Sequence, residues 1–539
     1  MPSIPSPLRS RLPPSVPAYV TRCFTIDARA LALFRVMVGL LIIADVLSRA
    51  RSFWFYYTDD GVVPQEVAEL YTTADAVSIF FLTSDPYLIG ALFVIHALLA
   101  VVLIAGYKTR VVFALSFLFV ISLDHHNPFV LSYADTLFRM LLFWGLFLPL
   151  GERWSIDALQ RERSARPAVA NLATAAIMFQ MVFMYSVNGQ NKFPSSLWHS
   201  GEAAIIVMGI DEMTYLLGNT MRHVPFLLQI GGRTWFYLLL ASPLLILLYG
   251  RARYPLIILL MGGHASFAIT VRIGAFPYVA ILGLLAFLQP VVWRDFNTLI
   301  RATGFSGIVA HLVEDITHVG TYFAKRLPGR LIDIRDRDLF VRKTFTVFVA
   351  VFIVGLFILP TGAMLAEGPY VDENPLPDDN PIQDTASNWG VDQPVWSIFA
   401  GPGPRSVDRY YVFPAKTADG QIFDLYNERP MTYERPGQHL HHQHDVYRNR
   451  FYMNTIRRGG SASQPNTLLV NHLCEEWQEE RGVELTHINM WAVSERITLE
   501  TIDDPANRTR SEELIGQYTC GDQATQPIAP PGEPTEREG

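Results

Sequence analysis

The chain has 539 residues, of which 50% are hydrophobic and 17% charged, and its formal net charge is −7 at pH 7. This composition is too apolar for an ordinary soluble protein and predicts several membrane-crossing segments. Residues 365–539 carry 28 acidic and 14 basic side chains, so the rest of the chain is net basic. The distribution excludes a nucleic-acid partner and favours a basic membrane domain joined to an acidic domain outside the lipid.

Nine apolar stretches predict an α-helical membrane domain over residues 29–364, after a Pro-rich cytoplasmic tail at 1–28. Two of the nine are weaker, at 111–123 and 255–270. The other seven lie at 31–48, 87–106, 131–150, 170–188, 226–249, 275–290 and 344–364. An odd number of spans predicts that the N-terminus and the C-terminal domain lie on opposite sides of the membrane.

Basic residues orient these predicted spans, because they concentrate on the cytoplasmic side of membrane proteins. With a cytoplasmic N-terminus, the inner segments hold 21 Lys and Arg residues, nine of them in a loop at 291–343 that also contains a candidate amphipathic helix. The outer loops hold about five. We therefore predict a multi-pass plasma membrane protein with an extracytoplasmic C-terminal domain.

The acidic C-terminal region predicts a linker at 365–387 and an α+β domain at 388–522, followed by a disordered tail at 523–539. Within the domain we expect two short strands joined by a hairpin turn, one helix and a longer strand, at 409–414, 421–426, 468–480 and 484–501. The fold class is thus a polytopic helical membrane protein with a small extracytoplasmic α+β domain.

The three cysteines, Cys23, Cys474 and Cys520, form no C-x-x-C pair, which excludes dithiol redox chemistry and thiolate metal sites. Cys474 and Cys520 share the acidic domain. They would pair in an extracytoplasmic compartment, and the sequence leaves two free buried thiols as an equal alternative.

Several ionisable residues lie in the predicted spans and are interpreted as structural. Arg35 and Asp45 lie near the ends of the first span, from which they can reach the interfaces. Asp135 and Arg139 have the i, i+4 spacing of an ion pair within one helix. His96 is interpreted as a core histidine.

Lys192 lies where the fifth predicted span reaches the outer side, in a stretch that runs from Tyr185 to Gly201 and includes Trp198. Withdrawal from water favours the neutral form of a lysine, which then suits general-base chemistry, and the aromatic residues can enclose a flat apolar substrate. The alternative is an interfacial lysine whose amino group reaches water.

His264 begins a second such stretch, in which Gly274, Phe276 and Tyr278 follow at the outer face. Backbone broken by Gly and Pro at this depth is tolerated where it lines a cavity. Because both stretches emerge on the same side, they are predicted to form one pocket. The alternative is a core histidine followed by an ordinary turn between helices.

Together these motifs resemble the HTTM domain, the membrane domain of vitamin K-dependent gamma-glutamyl carboxylases and their prokaryotic relatives. The resemblance covers about residues 25–300, with a weaker similarity to about 400. It rests on A-L-A-L-F-R-V-M-V-G in the first span, W-S-I-D at 154–157, Tyr185-x3-Gly189-x2-Lys192 followed by Trp198 and Gly201, and His264-x9-Gly274-x-Phe276-x-Tyr278.

In the carboxylases the matching lysine deprotonates vitamin K hydroquinone, and the anion adds O2 to give the alkoxide that removes a γ-proton from glutamate. The resemblance therefore implies a reduced quinone as substrate and Lys192 as the base. It further implies a quinol pocket lined by Tyr185, Trp198, His264, Phe276, Tyr278 and Trp396. No tightly bound cofactor is expected.

Tyr133 and Ala134 occupy the place of an Asn-His pair that the carboxylases use for the carboxylation half-reaction. The resemblance thus implies quinol oxidation or epoxidation without predicting protein carboxylation. A second hypothesis is a non-catalytic, lipid-binding anchor or scaffold whose outer domain binds a protein partner. A transporter is less favoured, because the sequence has no internal repeat.

Four histidines lie close together after a Pro-Gly pair in the acidic domain: His439, His441, His442 and His444. Neutral imidazoles are ligands for Zn, Cu or Ni. The segment has no distant cysteine partner and is typical of a solvated or pH-responsive loop. No metal site is predicted, and metal binding by this cluster remains the minor alternative.

Overall fold

The computed structural model describes residues 15–73, 75–162, 164–329, 339–362, 381–400 and 403–531. The part that precedes the acidic domain is helical. Its main helices are α1 (Val16–Cys23), α2 (Ala28–Ala50), α3 (Pro86–Ala105), α4 (Thr109–His126), α5 (Tyr133–Gly145), α6 (Leu172–Lys192), α7 (Glu202–Met208), α8 (Pro225–Leu240), α9 (Tyr254–Thr270), α10 (Phe276–Leu284), α11 (Pro290–Ala302), α12 (Ser306–Arg326) and α13 (Leu339–Ile353). Two short strands, β1 (Ile26–Asp27) and β2 (Ala168–Val169), pair with each other.

Six helices in the described residues are long and apolar enough to cross a membrane, and a bent pair would make a seventh. They are Ala28–Ala50, Pro86–Ala105, Thr109–His126, Leu172–Lys192, Gly250–Thr270 and Lys343–Gly362, and the bent pair joins Phe276–Phe287 to Pro290–Ala302 at 103°. The chain is thus a multi-pass membrane protein, although the predicted count of nine spans is not confirmed.

Two of the predicted spans form helices that are too short to cross alone. Helix α5 has 13 residues and α8 has 16, and a helix rises about 1.5 Å per residue against about 30 Å of hydrocarbon. Helix α5 starts at Tyr133, after a capping box formed by Ser132 and Asp135, and ends at Gly145, before the predicted end at 150. Helix α8 ends at Leu240, shortly before Pro243. The predicted spans are longer because they include the apolar residues that flank both helices.

Helices α11 and α12 occupy the loop that was predicted at 291–343. No residue of α11 is buried, and both helices expose large apolar side chains, such as Phe296 and Ile308. The predicted linker at 365–387 lies largely outside the described residues, and its described end forms helix α14 (Pro381–Asn388). Residues 1–14 of the predicted N-terminal tail also lie outside them.

The C-terminal domain is an antiparallel sheet covered by two helices. The strands are β3 (Val407–Val412), β4 (Pro414–Thr417), β5 (Ile422–Asp424), β6 (Arg429–Pro430), β7 (Leu485–Arg496) and β8 (Thr509–Thr519), in the order β3-β7-β4-β5-β6 with β8 also on β7. The helices are α15 (Tyr447–Gly459) and α16 (Gln464–Arg481). The α+β class is as predicted, and a hairpin turn joins β4 to β5. The predicted first arm of that hairpin at 409–414 is wrong, because most of it is β3, which pairs with β7, and α15 and β8 were not foreseen.

Cys474 and Cys520 form a disulfide, with their Cα atoms 5.7 Å apart. This resolves the alternative that the sequence left open, and it ties α16 to the end of β8. The predicted disorder at 523–539 is wrong for its first part: the carbonyl oxygen of Ala524 lies 3.2 Å from His487 Nε2, and Ile528 is buried. An apolar residue in a Pro-rich segment can still pack against a sheet. Residues 532–539 lie outside the described part.

Candidate active site

A cavity of about 600 Å³ lies among α6, α7, α8, α9 and the start of α10, and its wall is mostly apolar. Such a volume is within the range of small-molecule sites. Two residues of the extended segment 390–400, Ile398 and Phe399, complete the wall. We call this segment the strap, because it joins the membrane domain to the sheet domain.

Lys192, the last residue of α6, lies on the cavity wall with only 1% of its surface exposed. Its Nζ donates to Asn188 Oδ1 at 2.7 Å and to the carbonyl oxygen of Ile398. The ring centroid of Trp198 lies 4.7 Å from the same nitrogen, a distance that suits a cation–π contact. In the described part of the chain, the hydrogen-bond partners of Nζ are therefore neutral oxygen atoms.

The end of α6 holds the strap in place through side-chain amides. Asn188 Nδ2 donates to the carbonyl oxygens of Trp396 (2.7 Å) and Ile398 (3.0 Å), and Asn191 Nδ2 donates to that of Val395 (2.8 Å). Trp396 and Phe399 have positive φ angles of 45° and 53°, which non-glycine residues adopt only where the surroundings stabilise them. The strap thus covers the cavity at the end where Lys192 lies.

A second polar group faces the same cavity from α6 and α9. The hydroxyl of Tyr185 and Nε2 of His264 are 2.8 Å apart, and both side chains are buried. The other ring nitrogen of His264, Nδ1, has no hydrogen-bond partner among the described residues. The ring of Trp235 lies edge-on to His264 at 5.1 Å, and Phe276 lies 5.9 Å from it.

The structure places five of the seven predicted site residues on this cavity wall: Tyr185, Lys192, Trp198, His264 and Phe276. The other two predicted lining residues, Tyr278 and Trp396, are not on it. Tyr278 is half exposed, because two residues along a helix turn a side chain about 200° from that of Phe276. The indole of Trp396 turns away to donate to Gln393 Oε1 and to pack on Tyr133.

Sequence reasoning missed Asn188, Trp235, Ile398 and Phe399 as parts of the site. Asn188 was detectable, because it lies one helical turn before Lys192. Trp235, by contrast, carries no local signal, and the contribution of the strap depends on long-range folding.

The four histidines of the acidic domain lie at its contact with the membrane domain. Arg272 donates to the carbonyl oxygen of His441 at 2.6 Å, and burial lowers the pKa of His441 and of His444 to about 4. Across the described ranges, no group of three or more His, Cys, Asp or Glu side chains is arranged to hold a metal ion. The segment thus forms an interdomain contact.

The sequence profile of the HTTM domain matches residues 24–293, half of the chain. The chain belongs to the HTTM domain family. This domain is the one found in vitamin K-dependent carboxylases. No curated protein and no solved structure matches the chain. The HTTM region contains the helices that carry Tyr185, Lys192 and His264, whereas the strap and the sheet domain lie beyond it.

Proposed function

We propose that this HTTM protein is a membrane enzyme that oxidises a lipid-soluble quinol, with Lys192 as the general base. The observation that carries the proposal is a buried lysine with neutral hydrogen-bond partners on the wall of an apolar cavity. An ionisable group whose protonation is perturbed by burial in a cavity is a candidate functional group. The alternative, an interfacial lysine that reaches water, is not supported by a side chain that is 1% exposed.

The proposed reaction begins with proton transfer from a quinol hydroxyl group to the amine of Lys192. Molecular oxygen is the oxidant: one of its atoms enters the ring as an epoxide, and the other leaves as water with the two hydrogens of the quinol. The quinol thus gives four electrons to O2, two as it becomes a quinone and two as the epoxide forms, and no further co-reactant is needed. Asn188 and the Ile398 carbonyl would hold the lysine, because both accept hydrogen bonds from its Nζ.

The cavity wall favours a flat ring as the substrate. Trp198, Trp235, Phe276 and Phe399 line it with aromatic faces and edges. Tyr185 and His264 offer hydrogen bonds to a second polar atom, since His264 Nδ1 has no partner among the described residues. A para-quinol, with polar atoms at opposite ends of its ring, fits both requirements.

Protein carboxylation is not part of the proposal. Tyr133 stands where the carboxylases have a residue of their Asn-His pair, and its hydroxyl lies 3.0 Å from Ser397 Oγ in the strap. Its ring packs on Trp396. This position therefore serves to hold the strap instead of supplying a histidine.

We further propose that the sheet domain and the end of the cavity that contains Lys192 lie on the extracytoplasmic side of the plasma membrane. The support is the Cys474–Cys520 disulfide, since such bonds persist in oxidising compartments. The strap links that domain directly to Lys192, so the two would share one side. Helices α11 and α12, which lie in the predicted basic loop at 291–343, would then face the cytoplasm.

The test is oxygen-dependent oxidation of reduced menaquinone by the purified full-length protein in lipid nanodiscs. We expect Lys192→Ala to lower turnover at least ~100-fold, which is the usual contribution of a general base. Lys325→Ala, at the exposed end of α12, is the matched control and should leave turnover unchanged.

Equal turnover in Lys192→Ala and the wild-type protein would exclude the role of Lys192. No turnover in the wild-type protein would exclude the quinol reaction itself. The second hypothesis, a lipid-binding scaffold with a partner-binding outer domain, would then take its place.

A further inference from the structure

The cavity is open on one side, between helices α8 and α9. Several side chains that line it are also exposed on the outer surface of the protein, and they lie on these two helices. They are Leu227, Ile230 and Thr234 of α8 and Ile258, Leu259 and Ser266 of α9. We call this opening the window.

Each helix contributes a pair of adjacent glycines to the window region. A Cβ atom at Gly231 or Gly262 would meet no heavy atom within 4 Å, and both residues are exposed and line the cavity. The second glycine of each pair is closely packed. A Cβ at Gly232 would lie 2.6 Å from Ala204 Cβ, and a Cβ at Gly263 would lie 2.6 Å from the Trp235 ring. One glycine of each pair thus permits close packing, and the other leaves a gap.

The surface around the window is apolar. Phe226 is 71% exposed and Ile258 is 64% exposed, and Gly250–Thr270, which contains α9, is one of the helices apolar enough to cross a membrane. In a bilayer such side chains face hydrocarbon, because no other environment buries them. The window therefore leads to lipid.

The opposite side of the cavity is closed. The strap covers Lys192, which is 1% exposed, and its Ile398 and Phe399 side chains form part of the wall. Trp235 of α8, a partly buried residue of the cavity wall, holds its ring perpendicular to those of Tyr185 and His264, with centroids 6.4 Å and 5.1 Å away. This ring therefore stands beside both polar groups, on one of the two helices that border the window.

We infer that the cavity is filled sideways from the bilayer, through the window, and that Gly231 and Gly262 set its width. The ligand is a lipid-dissolved molecule with a flat ring and an apolar tail: the ring enters beside Trp235, while the tail remains between α8 and α9 in the hydrocarbon. The identity of the ring rests on the proposed function. The route rests only on the shape and polarity of the cavity.

The route can be tested without any enzymatic turnover, by photolabelling the full-length protein in liposomes with trifluoromethylphenyl diazirine, which dissolves in hydrocarbon. Mass spectrometry then compares insertion into the cavity residues Met184 and Met208 with insertion into Val94 and Leu98, which are exposed on α3. We expect labelling at both sites in the wild-type protein. Gly231→Leu combined with Gly262→Leu should lower labelling of the cavity at least tenfold and leave that of α3 unchanged.

Two further variants control this experiment. Gly307→Leu, in α12, also adds a side chain where nothing lies within 4 Å, and it should leave both labelling sites unchanged. Trp235→Ala removes the ring that stands beside the polar pair on a helix that borders the window, and it should raise labelling of the cavity severalfold. This variant tests the route even if the double leucine variant does not fold.

Unchanged cavity labelling in a folded double leucine variant would overturn the inference. Cavity residues that stay unlabelled in the wild-type protein, while α3 is labelled, would overturn it as well. A loss of quinol turnover in Lys192→Ala leaves this labelling unaffected, so a failure of the route and a failure of the proposed reaction give different results.

Discussion

Two of the regions that bury charged side chains do so in opposite ways. One is the cavity, where the hydrogen-bond partners of Lys192 are neutral. The other lies between α2, α4, α5 and α15, where acidic and basic side chains are present in equal number. This second set, the Arg448 cluster, consists of Asp45, Asp124, Asp135, Arg49, Arg139 and Arg448.

Ion pairs connect the whole Arg448 cluster. Asp135 lies 2.9 Å from Arg448, Asp45 lies 2.8 Å from Arg49, and Asp124 lies 3.0 Å from Arg139. Arg448 belongs to α15 of the sheet domain, so the cluster is complete only when that domain contacts the membrane domain. The charges of the cluster therefore hold two domains together.

The two regions differ in the partners of their buried charges more than in how deeply those charges are buried. A buried ion pair offsets part of the cost of removing its charges from water, although it seldom adds net stability. A buried amine without an acidic partner has no such compensation. Both regions bury cationic side chains, and the contacts of those side chains distinguish the regions.

Replacing Arg448 with methionine should have the largest effect on stability. The variant leaves Asp45 and Asp135 with one cation fewer in a buried site, and we expect a loss of ~3–5 kcal/mol in the free energy of unfolding. Thermal or denaturant unfolding in detergent measures it. Arg458→Met, at an exposed position on the same helix, should change stability by less than ~0.5 kcal/mol. Equal effects of the two substitutions would show that the Arg448 cluster does not stabilise the fold.

The Arg448 cluster also marks a limit of sequence reasoning. The i, i+4 spacing of Asp135 and Arg139 predicted that they pair with each other, and this is wrong. Asp135 contacts Arg448 and Arg49, whereas Arg139 contacts Asp124 and donates to the carbonyl oxygen of Gly390. Helical spacing shows which residues share a face, but it does not reveal a stronger partner that arrives from a distant part of the chain.

The candidate site was more predictable, because much of it lies on helices with a readable period. Tyr185 and Lys192 are seven residues apart on α6 and therefore face the same way. The sequence also indicates His264, because it is a histidine within an apolar helix. The strap could not be predicted in the same way, since its place depends on amide side chains at the end of α6 and on the positive φ angles of Trp396 and Phe399.

The predicted count of nine spans is not confirmed, for a related physical reason. Apolar residues mark hydrocarbon contact and protein cores alike, so composition alone does not give the length of a helix. Helix α5 ends at Gly145, and α8 ends at Leu240, shortly before Pro243, so both are shorter than the predicted spans. The contacts that end these two helices are local, and a count of spans that is based on apolar residues alone does not detect them.

The buried ion pairs of Glu212 make the stability of the protein depend on pH. Burial alone would raise the pKa of this carboxyl, but Arg405 and Arg450 outweigh burial and hold that pKa at about 2. A carboxyl with a lowered pKa stabilises the fold fully above its ordinary value of 4.5 and loses that contribution as pH falls toward 2. The loss amounts to ~3 kcal/mol from this group.

Unfolding of the wild-type protein and of Glu212→Gln between pH 7 and pH 2.5 measures this contribution. The stability of the wild-type protein should fall more steeply below pH 4.5 than that of the variant, and the two should converge at the acid end. Parallel curves would show that the arginine partners do not lower the pKa of Glu212. That result would contradict its ion pairs with Arg450, at 2.6 Å, and with Arg405.

Lys192→Met should have the smallest effect on stability, in spite of the deep burial of the side chain. The substitution removes an amine that has no acidic partner, which favours the folded state, but it leaves Asn188 Oδ1 without its donor, which costs about 1–3 kcal/mol. The Ile398 carbonyl keeps its hydrogen bond from Asn188 Nδ2 at 3.0 Å. Because these terms oppose each other, we expect the free energy of unfolding to change by less than ~1 kcal/mol. A loss as large as that of Arg448→Met would mean that Lys192 is a structural residue, and the difference between the two regions would then disappear.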